Sequence, residues 1–142
     1  MNNTTINKTI FLNASRDNVW SFLTEKDKLA KWFHPSENDL KEGENYACLR
    51  TAEDGNTIPQ IWGKVVKMDV PNKLVYTFII DPFKENETTV TWLLEDIPGG
   101  TRLTLMHEGV AEAAQSEALQ LLIALDQGWD KHLNGMRESI AS

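Results

Sequence analysis

Between Gln115 and Ile140 the residues Ala118, Leu121, Leu122, Leu125, Trp129, His132, Leu133 and Met136 recur at steps of three and four. That spacing lines one side of an α-helix. A continuous helix over this span is roughly 39 Å long, at about 1.5 Å per residue. An apolar stripe of that length has to be covered by an element of similar extent, and this requirement limits the chain to few architectures. Gly128 falls inside the stripe, at a propensity cost of about 1 kcal/mol relative to alanine. It reads either as a close approach of the helix to a strand or as a local bend that opens space beneath the helix.

The segments ahead of the stripe supply the cover. From Ile6 to Leu12 the apolar residues Ile6, Ile10 and Leu12 share one parity, with Lys8 the exception, as in a half-buried strand. Ser15 and Asp17 then mark the start of a short helix carrying Val19, Phe22 and Leu23. Thr24 opens a second, with Leu29, Trp32 and Phe33 on one side and Pro35 beyond its end. Turns at Glu42-Gly43, Asp54-Gly55, Pro71-Asn72 and Pro98-Gly99-Gly100 separate expected strands near 36–42, 46–53, 58–69, 74–80, 87–97 and 101–108. The alternation is cleanest late, where Leu74, Tyr76, Phe78 and Ile80 share one face, Val90, Trp92 and Leu94 another, and Leu103, Leu105 and His107 a third. The order is therefore β-α-α-six β-α, an α+β fold in which a seven-stranded curved antiparallel sheet wraps a long C-terminal helix. With no internal repeat or linker, residues 1–142 read as a single domain, long enough to bury about 68–70% of the unfolded surface.

Composition bears on partners and location. Asp and Glu outnumber Lys and Arg by 21 to 14, a net charge of -7. Phosphate backbones and anionic bilayers are repelled on average, so neither nucleic acid nor membrane is an expected partner. Met1 to Ile10 has no apolar core of signal-peptide length, and Leu119 to Leu125, interrupted by Gln120, is too short to span a bilayer. Cys48 is the single cysteine, so no intrachain disulfide forms and a cytoplasmic location is expected.

The search for chemistry starts at the histidines. His107 and Glu108 are strand neighbours and point to opposite faces, so they cannot pair. His107 shares its face with Leu103 and Leu105, and His132 lies on the helical stripe beside Trp129 and Met136. Both read first as hydrogen-bonded core residues, with a polar role inside a cavity as the alternative. His34 precedes a proline and is expected to be exposed. No metal-ligand spacing, phosphate loop or nucleophile elbow is present, so neither metal nor cofactor is expected. The aromatics are more informative. Trp62, Tyr76, Phe78, Trp92, His107, Leu122, Leu125, Trp129 and His132 together would line a cavity between sheet and last helix. Ordinary core packing is the alternative reading of the same residues.

Several segments in order carry a resemblance: Lys8 to Trp20, Leu29 to Phe33, Trp62-Gly63 with Val65, Leu74 to Tyr76, Thr89 to Trp92, Gly100 to His107, and Gly128-Trp129. The chain resembles domains related to the C-terminal domain of heat-shock-protein-90 ATPase activators, within the START-like, birch-pollen-allergen-like superfamily. The resemblance implies the helix-grip fold, frequently with an apolar cavity, and a link to chaperones and the stress response. Three functions follow as expectations. The first is a binding protein that holds a small hydrophobic or amphipathic ligand in the cavity. The second is a protein that docks on a chaperone. The third is a cyclase- or hydrolase-like enzyme using His107 with Tyr76 as an acid–base pair.

Overall fold

The computed structural model describes residues 3–141. The elements run β1 (Ile6–Leu12), α1 (Arg16–Thr24), α2 (Lys26–Trp32), β2 (Asn45–Thr51), β3 (Thr57–Asp69), β4 (Lys73–Phe78), β5 (Thr88–Ile97), β6 (Gly100–Glu108), α3 (Val110–Ala114) and α4 (Ala118–Ala141). The strands form one antiparallel sheet in the order β1-β6-β5-β4-β3-β2. β1 and β2 therefore occupy opposite edges, and α1 and α2 carry the chain from one to the other. α1 starts where Ser15 Oγ accepts the Asn18 N–H at 3.2 Å, with Asp17 in its first turn. Short α3 was not expected; it buries Val110, Ala113 and Ala114 ahead of α4.

The sheet has six strands rather than seven, because the expected strand at 36–42 does not form. That segment makes one bridge, Ser36 with Cys48, flanked by Glu37 N–H to Ala47 O at 3.0 Å and Leu49 N–H to Pro35 O at 2.7 Å. Its remaining polar groups then serve other partners. Ser36 Oγ donates to Asn38 O at 2.7 Å, Asp39 Oδ1 accepts the first N–H of α2 at 2.9 Å, and Leu40 N–H donates to Thr24 O at 2.8 Å. Local side-chain and helix-end bonds have won over the ladder.

The late strands bury the faces read from the sequence: Leu74, Tyr76 and Phe78 in β4, Val90, Trp92 and Leu94 in β5, Leu103, Leu105 and His107 in β6. α4 covers them with Trp129, Leu133, Met136 and Ile140. Lys8, the exception in β1, has the parity of the buried face, and α4 supplies its partners. Its Nζ lies 2.7 Å from Asp126 Oδ1 and 3.0 Å from Asp130 Oδ1, carboxylates one helical turn apart.

Where β3 passes β4, Thr77 makes side-chain bonds in place of a regular ladder. Its Oγ1 accepts the Lys64 N–H at 2.8 Å and its carbonyl accepts the Tyr46 hydroxyl at 2.6 Å. Gly63 lies against this point, and a Cβ there would stand 2.3 Å from the Thr77 carbonyl oxygen. Backbone on both sides leaves no flexible group to yield. Gly63→Ala is expected to destabilise the fold by about 1–3 kcal/mol, the range of overpacked sites. A urea midpoint unchanged from the parent would show that β3 and β4 are not this close.

Candidate functional site

Between α4 and the β3–β4 half of the sheet lies a cleft of about 120 Å³. Its apolar walls are Phe33, Ile61, Phe78, Ile80, Leu125 and Trp129, and its polar groups are His34, Gln60 and His132. Gly128 forms the helical side. A Cβ at Gly128 would meet nothing within 4 Å, so this glycine does not serve a close approach. Nor does it break the helix, which runs on to Ala141. Gly128 leaves open space at the helical side of the cleft. Around it the rings are tightly arranged. Phe33 stacks on Trp129 with centroids 5.5 Å apart and planes 8° from parallel, and His132 stands edge-on to Phe33 at 4.9 Å and to His34 at 5.2 Å.

Behind the cleft runs a chain of buried hydrogen bonds. Trp129 Nε1–H donates to His107 Nδ1 at 3.0 Å. An indole nitrogen can only donate, so Nδ1 is the unprotonated nitrogen and the proton sits on Nε2. Nε2 lies 2.8 Å from Thr88 Oγ1, and the Thr88 hydroxyl in turn donates to Phe78 O at 2.6 Å. Every polar atom of the chain is satisfied. Burial pushes the His107 pKa down to about 3, which holds the ring neutral.

The two remaining histidines sit at the cleft. His132 Nδ1 is 3.2 Å from the Trp32 carbonyl oxygen, and since a carbonyl cannot donate, Nδ1 carries the proton. Burial lowers the His132 pKa, the Trp32 bond opposes this, and the Lys131 charge adds to the lowering. Burial, and then the neighbouring His132, bring His34 down to about 4.

A family model for activator of Hsp90 ATPase homolog 1-like proteins matches residues 13–141. The chain belongs to that family. Several solved structures share its fold. CalU16 from Micromonospora echinospora superposes with a TM-score of 0.76 at 24% identity, over 96% of this chain and 73% of that one. CV1439 from Chromobacterium violaceum gives 0.75 at 21% identity, over 98% of both. A protein from Arthrobacter aurescens gives 0.80 at 16% identity, over 97% of this chain and 86% of that one. At such identities the likeness is one of fold. No curated protein matches the chain.

Of the nine residues that the sequence suggested for a ligand cavity, Phe78, Leu125, Trp129 and His132 line this cleft. Trp62, Tyr76, Trp92, His107 and Leu122 do not. Trp92 is wholly buried, edge-on to Trp129 at 5.6 Å, and its Nε1–H donates to the Tyr76 hydroxyl at 3.0 Å. Tyr76 and His107 thus have separate partners and lie off the cleft, so the acid–base pair of the enzymatic reading is not assembled. Leu122 lines a different surface groove with Asn7, Ile123 and Asp126, and Trp62 sits beside Pro59 and Asp81. His34, expected to be exposed, is half-buried at the cleft. Phe33, Gln60, Ile61 and Ile80 were not expected there; for Ile80 the signal was present, since it shares the parity of Phe78. Cys48 is buried and its thiol is pushed up to about 12, which makes it unreactive. Among the described residues no three His, Cys, Asp or Glu side chains gather as a metal site would need, and no helix is long and apolar enough to cross a membrane.

The neutral histidines make stability depend on pH. An unfolded imidazole titrates near 6.5, whereas folded His107 and His34 titrate near 3 and 4. Between these values the unfolded chain binds more protons, so this contribution is full above about pH 6.5 and is lost as pH falls through 4 for His34 and on to about 3 for His107. His107 alone gives a slope of up to about 1.4 kcal/mol per pH unit. His107→Leu strands the Trp129 N–H, so at neutral pH it is expected to lose about 1–3 kcal/mol and to show a flatter acid limb. Urea titrations across the acid range check both; equal slopes in parent and variant would contradict a neutral, buried His107.

Proposed function

We propose that this domain is a binding protein that takes the apolar end of a small hydrophobic or amphipathic molecule into the cleft between α4 and the sheet. The observation that carries this reading is the open space at Gly128. α4 packs on the sheet through Trp129 and Met136, both almost fully enclosed, yet between Leu125 and Trp129 the helix puts only Gly128, with open space before it, against a cleft walled by aromatic and aliphatic groups. Small-molecule sites are composed in this way, with apolar walls and a few polar groups. The volume bounds the ligand. An apolar cavity of about 150 Å³ accepts benzene, so about 120 Å³ suits one ring or the tip of a chain. The remainder of a larger ligand would stay at the mouth, near His34 and Gln60.

Docking on a chaperone, the alternative drawn from the family description, would use the outer surface, so filling the cleft separates the two readings. Gly128→Leu places a side chain in the open space and gains helix propensity of about 0.8 kcal/mol. Toluene is expected to raise the melting temperature of the parent and to leave Gly128→Leu unshifted. Leu122→Trp, on its separate groove, should respond as the parent does. Equal shifts in parent and Gly128→Leu would refute a ligand in this cleft.

A further inference from the structure

The polar groups of the cleft carry a chemical preference. No Lys, Arg, Asp or Glu lines it, although the chain as a whole carries a net charge of -7. A carboxylate or ammonium entering the cleft would lose its hydration with no opposite charge to meet it. The site therefore suits an uncharged guest. The direction of the hydrogen bond that His132 offers is also set. His132 spends Nδ1–H on the Trp32 carbonyl, so the neutral ring offers only a lone pair, at Nε2. Among the described residues Nε2 has no protein partner, while every fully buried side-chain nitrogen and oxygen has one. Nε2 is thus an acceptor that solvent reaches, and so can a ligand. Beside it stands the parallel stack of Phe33 and Trp129, whose faces and edges suit an aromatic guest.

Resting on the cleft as a ligand site, we infer that it selects neutral single-ring compounds bearing one O–H or N–H donor, such as phenols, with His132 Nε2 accepting that donor. The low pKa of His34 and the lowered pKa of His132 support this, because both rings stay uncharged at neutral pH. Other ring compounds would be distinguished by what they put at Nε2. Toluene fills the space and offers no donor. Anisole keeps the phenolic oxygen and loses its hydrogen. Benzoate brings a charge.

The test is a set of affinities at neutral pH, read by isothermal titration or ligand-observed NMR, for phenol, toluene, anisole and benzoate. Phenol is expected to bind about five- to tenfold more tightly than toluene or anisole, the worth of one hydrogen bond, with benzoate weakest. His132→Phe keeps a ring and removes the acceptor, so it should bind phenol and toluene alike. The comparison of ligands on the parent protein does not depend on how that variant folds. Toluene binding without a phenol preference, or benzoate binding most tightly, would overturn the inference and leave the cleft as a ligand site. Failure of all four on the parent, as on Gly128→Leu, would remove the ligand site and the preference together.

Discussion

An indole N–H buried in an apolar core must find an acceptor, and for Trp129 the acceptor is His107 Nδ1. Apolar packing is non-directional and tolerates rotation of a helix about its axis. A hydrogen bond does not, because it weakens steeply off line. The Trp129 bond therefore fixes which side of α4 faces the sheet. With that rotation set, Leu125, Gly128 and His132 come to the same side over about two turns, and they compose the helical wall of the cleft. The acceptor is itself held, through Thr88, by the Phe78 carbonyl at the end of β4. The position of the helix is thus referred to three strands at once.

The strand faces and the long helix were legible because burial repeats with the period of the backbone. Leu74, Tyr76 and Phe78 or Leu103, Leu105 and His107 can be read by parity alone, and the order of the short motifs anticipated the family. The seventh strand was misread for a physical reason. Residues 36–42 carry Ser36 and Asp39, whose side chains bond outside the ladder, and parity does not record that competition.

The site was less legible. Parity says that Tyr76, Trp92 and His107 point inward, but not that they are fully enclosed while Phe78 on the same face borders an open space. That difference comes from a side chain that is absent, at Gly128, and from Phe33 and His34 folding back on α4 after the α2 helix ends. The stack of Phe33 on Trp129 joins residues far apart in sequence, and no local pattern announces it. Lone histidines were rightly suspected of core roles at position 107, where both nitrogens are taken, whereas at 132 one nitrogen is left over.

The strand order also bears on how the chain comes to be folded. β1 pairs along its length with β6, Ile6 opposite His107 and Leu12 opposite Thr101, so most of the chain must be synthesised before that edge of the sheet can close. Pairings so distant in sequence are slow to form. Through that interval Ile6, Ile10 and Leu12 present an apolar row with unpaired backbone, the kind of segment on which nascent chains associate. Lys8 breaks the row with a charge. The residue that looked like a flaw in the alternation protects the strand while it waits, and is itself neutralised by Asp126 and Asp130 when α4 arrives.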